Sequence, residues 1–524
     1  MLLSRDIKIH GEDIDGWGGQ ILATDIFETD GTWRKGSLMF DHVQVYNCSQ
    51  KDAYHSAIRW EGAMGGYSRV SNSTVHNGLD WGVIIWDSNN VELLSNTIVG
   101  FRAIGMNLDK FRNCTIDGNL IGDVKGRGIE FIDMTVDKEA CVAYSSYRSS
   151  KSGSASYDIT FTNNIAAGCI FAGFVAPGHE CDDVNQVSFR DNIAHSAGGE
   201  DTGYGLYTYA NPAHNVQKCF EVSHFTAYKT TASCAVSFVN TLDHRAHHFT
   251  CIDGELGMSF STGGSEKDEV VMSLTDSAFY GETKSEDCPQ GGDCSCVKKT
   301  AFVNFQNMND DKDLHPTMAS SLPIYTSHGE GNWGGEIKIS NTLFKGFTGR
   351  QRCGERSVIF GSNPDSSDKI PPHFFDNCKF VDVDDLGFAF LEKSPAKWAN
   401  VKDCGNFPCT APNNFILGFT NTKFDGVTPS TSVKDFTLVP DDATVGGTYP
   451  NCVHKPDQQS YVCQTRNIGL LQVENLDEDA WDRAVQPIFL LNPKTGFNNT
   501  VNAMMDHIWD TFYTGQRRMA RFPM

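Results

Sequence analysis

The stretch YSRVSNSTVHNGLDWGVIIWDSNNVELLSNTIVGFRAIGMNLDKFRNCTIDGNLIGDVKGRGIEF, residues Tyr67 to Phe131, is one short phrase written three times. SNSTV at Ser71 to Val75, LSNTI at Leu94 to Ile98 and IDGNLI at Ile116 to Ile121 each set an asparagine ahead of a β-favouring apolar residue. Asn72, Asn96 and Asn119 thus follow one another at intervals of 24 and 23 residues. The runs between them, such as WGVIIWDSNN from Trp81 and AIGMNLDKFRN from Ala103, combine small or glycine turns with strand-like residues. A period in the low twenties with no helical periodicity marks a stacked solenoid. In a parallel β-helix each coil supplies two or three short strands, whose backbone groups pair with the next coil at about 4.8 Å. The spacing therefore predicts an all-β, right-handed parallel β-helix in which Val75, Ile98 and Ile121 stack as an internal ladder. The asparagines are expected to stack their amides along one corner, where unusual backbone angles are tolerated.

Working outward, residues 1–66 read as the first coils, with alternation in DIKIHG and HVQVYN and a turn at Trp17, Gly18 and Gly19. Coils continue over 67–280 with loop insertions; Asn164 and Asn192 repeat the asparagine phrase, and the 45-residue gap from Asn119 to Asn164 reads as about two periods. The serine-rich Cys141 to Tyr157 stretch is expected to bulge from the stack. Residues 281–335, polar and turn-rich, read as an insertion loop; 336–426 resume the helix, with Asn341, Asn377 and Asn421 at the corner; 427–524 read as a separate, incomplete β-rich segment. About twelve to fifteen coils give a rod on the order of 60 to 70 Å.

The chain has 524 residues with 43 Lys plus Arg against 65 Asp plus Glu, a net charge of -22 that argues against a nucleic-acid surface and against docking on anionic lipid. Seventeen cysteines, together with Asn-X-Ser/Thr sequons at Asn47, Asn72, Asn113 and Asn498, favour an oxidising, glycosylating compartment. The opening MLLSRDIKIHGED is no signal peptide and no run of about 18 apolar residues exists, so the expectation is a fragment of a larger secreted or membrane-anchored precursor.

Several ordered landmarks carry a resemblance. LLSRDIKIHGED with GWGGQIL, the NNIAAGCIFAGF run from Asn163, KDCGNFPCTAP from Lys402, NCVHKPDQQSYVC from Asn451 and MDHIWDTFYTGQRR from Met505 together resemble the fibrocystin and fibrocystin-L family. These are large surface proteins with G8 and β-helix regions, related to the cell-migration-inducing hyaluronan-binding protein and transmembrane protein 2. The resemblance implies a β-helix ectodomain following a G8-like region, extracellular or on a cell or ciliary surface. Its implication for activity is divided, since only the hyaluronan-related members are linked to polymer cleavage. The family pattern near Trp509 has two cysteines where this chain has Asp510 and Gly515.

The chemistry follows. Cys404 with Cys409, and Cys452 with Cys463, each flank a short turn and are expected to form local disulfides contributing about 2–4 kcal/mol each. Cys288, Cys294 and Cys296 lack paired zinc spacing. His244, His247 and His248 lie beside Cys251, but alternation along a strand should point them apart, so no metal is expected. A catalytic reading rests on Asp109, Glu130 and Asp133 with Arg127 and Lys110 on one outer face, but 65 acidic residues make chance clusters inevitable and a solvated surface is the simpler account. Tyr204, Tyr207 and Tyr209 offer rings to a sugar or pack laterally. No catalytic triad order, phosphate loop or dinucleotide fingerprint stands out, so no cofactor is expected. The expected function is a non-enzymatic scaffold or adhesion-type ectodomain with protein, glycan or self-assembly partners. The alternative is a polysaccharide depolymerase, of hydrolase or lyase type, or a lectin.

Overall fold

The computed structural model describes residues 7–12, 17–51, 55–124, 140–143, 157–176, 179–180, 187–198, 203–209, 219–231, 233–238, 243–254, 256–260, 271–281, 300–304, 336–346, 358–362, 373–381, 387–390, 397–400, 417–425, 431–432, 436–440, 452–455, 460–463, 468–474, 488–492, 497–501 and 517–523. All elements among them are strands.

The architecture starts from a three-residue strand between two sharp corners. Thr74–His76, Thr97–Phe101 and Leu120–Val124 pair in parallel, with Val75 opposite Ile98 and Ile98 opposite Ile121. The expected ladder is therefore present, and all three side chains are buried. The same face runs from Ile7–His10 through Lys423–Asp425 as parallel strands and ends on an antiparallel Thr431–Ser432. Its inward position changes along the rod from Val and Ile to Ala166, Ala194 and Ala227, then Cys251, Phe279, Phe344 and Phe380.

The corner before this face dictates much of the sequence. Its residue is left-handed at His42, Asn72, Ser95, Gly118, Asn163, Asp191, His224, His248, Asp276, Asn341, Asn377 and Asn421, one per coil. Asn, Asp, His and Gly dominate because a β-branched side chain meets the backbone there. The next position points inward. There Asn96, Asn119, Asn164 and Asn192 are buried and form an amide ladder. Two adjacent columns thus both favour asparagine, and Asn72, Asn341, Asn377 and Asn421 belong to the outer one. The inner column holds Ser73, Thr342, Cys378 and Thr422 in those coils. The expectation of a single asparagine corner is corrected accordingly.

The other two faces are joined through long strands: Met106–Asp117 pairs with Val83–Asn89 at one end and Tyr157–Thr162 at the other. Inside, Phe161, Phe189, Phe225, Phe249, Phe279, Phe344 and Phe380 stack with centroid spacings from 4.8 to 6.1 Å. Asn119 bonds Asn164 directly, so the 45-position step from one to the other is a single coil rather than two. Within the polar 281–335 stretch, Thr300–Asn304 joins the sheet, pairing with Leu256–Phe260 and Val358–Ser362. Past the last coil the pairing turns antiparallel: Phe436–Pro440 lies against Leu417–Thr420, and Ile468–Glu474 pairs with Arg517–Pro523.

Candidate functional site

The coils carrying Cys219–Ser223 and Asp243–His247 bring three imidazoles to one outer corner. The strands pair in register, Glu221 opposite Arg245 and Ser223 opposite His247. Each is followed by a left-handed residue, His224 at φ 52° and His248 at φ 53°. The turn breaks strand alternation, so His247 and His248 do not diverge; their Nδ1 atoms lie 3.1 Å apart. The ring of His224, one coil back in the same column, stacks on His248 with centroids 4.4 Å apart and planes at 4°. One nitrogen of each of the three lies within 4.8 Å of the others. The expectation that neighbouring histidines point apart fails at this corner for that backbone reason.

Glu221 fixes one member of the group. Its Oε1 is 2.6 Å from His247 Nε2, with both side chains largely covered. A carboxylate there favours the tautomer that carries a proton on Nε2 and leaves Nδ1 a lone pair. Burial, followed by the charge of His248, lowers the pKa of His224 below the ordinary histidine value; Asp191 pulls the other way.

The residues singled out as a carboxylate patch are not assembled by what is described. Asp109 is half-buried opposite Trp86, and Lys110 follows it in a left-handed conformation at φ 50°. Arg127, Glu130 and Asp133 lie outside the described residues. Tyr204 and Tyr207 pack with Phe171 at 5.3–5.4 Å beside buried Trp81 and Ile104, which is lateral packing on the outside of the coil. The side chains of Tyr209 and His244 lie outside the described residues.

Sequons Asn47, Asn72 and Asn113 sit on left-handed turns at φ 52°, 49° and 49°, Asn113 exposed and the other two half-buried. The Asn72 amide donates to Asp41 Oδ1 at 3.1 Å and, ahead of Ser71 and His42, holds that carboxyl down to about 2. Asn498 lies in Phe497–Val501, its side chain outside the described residues. Cys404 and Cys409 also lie outside them, as do Cys288, Cys294 and Cys296. Cys452 and Cys463 are direct partners in an antiparallel pair of strands. A disulfide that the spacing did not single out joins Cys234 to Cys251. Buried Cys114 and Cys378 are free thiols pushed up to about 12 by burial.

A family model described as "Right handed beta helix region" matches residues 35–164. Fibrocystin-L of Homo sapiens is 24% identical and that of Mus musculus 21% identical, each across 99% of this chain; the chain spans 13% of the length of either relative. Among solved structures, an alginate lyase from Paenibacillus sp. str. FPU-7 aligns with 66% of this chain and 87% of its own at 10% identity, with a TM-score of 0.32, too loose a superposition to bear on activity.

Proposed function

We propose that this chain, a fibrocystin-like β-helix protein, is an extracellular ectodomain that acts as a rigid, non-enzymatic scaffold on a cell or ciliary surface, engaging protein or glycan partners or neighbouring copies. One observation carries the reading. Inward columns run without interruption from the asparagine ladder into the phenylalanine stack, so the coils resist bending and hold outer faces at fixed spacing. Whole-chain similarity to fibrocystin-L supports the surface location, and so does the Cys234–Cys251 disulfide, since such bonds persist in oxidising compartments.

The test is incubation of the purified chain with hyaluronan and pectin, followed by sizing of the polymers. Unchanged polymer length is expected. Shortening that disappears in Asp133→Asn or Glu130→Gln would replace the scaffold with a depolymerase. The aromatic group of Phe171, Tyr204 and Tyr207 favours a second reading, a lectin, because partly exposed rings can stack on sugars. Retention of the chain on immobilised glycan, lost in Tyr207→Ala, is the result that would establish it. Glycopeptide mass spectrometry of the secreted protein checks the compartment through sugar on Asn72 and Asn113.

A further inference from the structure

We propose that His224, His247 and His248 form a binding site for one divalent transition-metal ion of the zinc type, with Glu221 orienting His247 from behind. Three observations converge on it. The ligand atoms are already gathered: the Nδ1 pair of His247 and His248 stands at 3.1 Å, close to the roughly 3.3 Å edge of a tetrahedron with Zn–N bonds of about 2.0–2.1 Å. His224 completes the set within 4.8 Å, and turning its exposed ring closes the remaining distance. The rest of the arrangement is what a metal-bound imidazole uses. A histidine that offers one nitrogen to an ion commonly donates the proton of the other to a carboxylate, and His247 Nε2 meets Glu221 at 2.6 Å.

The backbone supplies the preorganisation. His224 donates its amide to the carbonyl of His247 at 3.0 Å, and His248 donates to the next coil, so the corner is tied into the stack on both sides. The left-handed turn at His248 lets it face the same side as His247, which consecutive residues of a flat strand could not do, and the register of the coils sets His224 beside His248. An all-imidazole set selects Zn2+, Cu2+ or Ni2+ over Ca2+ and Mg2+, which take oxygen ligands. Arg190 Nε stands 3.7 Å from the carboxylate of Asp191, the residue preceding His224 in the left-handed column. The fourth position opens to solvent on the side of His224 and His248 and is left to water.

The measurement is a calorimetric Zn2+ titration of the tag-free chain, paired with Co2+ absorption spectra. The key variant is His224→Asn with His248→Asn. Asparagine fills this corner in other coils, so the fold is kept while both imidazoles go. The wild type is expected to take one equivalent and to give the intense visible bands of tetrahedral Co2+. The double variant, matched to wild type by far-ultraviolet circular dichroism, loses both, and Glu221→Gln weakens Zn2+ binding about tenfold. Failure of the wild type to saturate at submillimolar Zn2+ would overturn the proposal. So would equal binding by the double variant, which would place the ion on thiols or elsewhere.

Discussion

Asn119 Nδ2 lies 2.9 Å from Asn164 Oδ1, although 45 residues separate the two in the chain. The same amide donates to the carbonyl of Leu93 at 2.9 Å, and its oxygen accepts both the backbone and side-chain N–H of Asn96 at 3.0 Å. Every hydrogen-bonding position of a side chain that is 1% exposed is thus used. The amide ladder thus ties together coils whose corner residues are 45 positions apart.

Asn119→Ala therefore strands donors on Asn96 and the acceptor on Leu93, and leaves Asn164 Oδ1 with the backbone N–H of residue 119 alone. Each unsatisfied buried group costs about 1–3 kcal/mol, so a loss on the order of 3 kcal/mol or more is expected in urea unfolding. A loss under about 0.5 kcal/mol would mean that the ladder is not buried.

Phe225 stacks between Phe189 and Phe249 and is fully buried. Phe225→Ala is expected to cost about 3–5 kcal/mol, since flanking rings held by the coil backbones cannot collapse into the space. Thermal unfolding followed by circular dichroism reads the effect.

At the outer corner, Asn377 has φ 52° and accepts from Asn421 while donating to Asn341. Asn377→Val is expected to destabilise by about 1–2 kcal/mol, whereas Asn377→Gly, which keeps the left-handed backbone accessible, changes stability much less. Equal effects of the two would show that the conformation is not the constraint.

How far the sequence disclosed this molecule can be traced through these positions. Val75, Ile98 and Ile121 were legible because one inward residue per coil repeats in hydropathy as well as spacing. Asn72 was read one column out of place, because the left-handed position and the inward amide are adjacent and both suit asparagine. The His247 and His248 pair was missed because alternation holds along a strand but not across the turn that follows it. The Cys234–Cys251 bond was missed because its two ends, 17 residues apart, lie on different faces that only the winding brings together.

The pH response follows from His224. Its folded pKa is lowered from 6.5, by burial first and then by His248, with His247 and Arg190 adding and Asp191 opposing; the Glu221 carboxylate is bonded to neighbouring His247. Between the folded value and 6.5 the unfolded chain binds more protons, so stability rises with pH. The contribution is present above 6.5 and is lost as pH falls through the folded value. The urea midpoint is expected to drop from pH 7.5 to pH 5.5, and by less in His224→Asn; identical drops would assign the effect to other groups.

Most direct of all is a cross-link between coils. Thr74 and Thr97 are register partners on neighbouring coils, while Leu120, two coils from Thr74, is about 10 Å away, beyond the roughly 7 Å that a disulfide can bridge. Under mild oxidation, Thr74→Cys with Thr97→Cys is expected to form an intramolecular disulfide, and Thr74→Cys with Leu120→Cys is not. Cross-linking of the distant pair, or failure of the near pair in a folded chain, would contradict the parallel stack on which the scaffold and the histidine corner both depend.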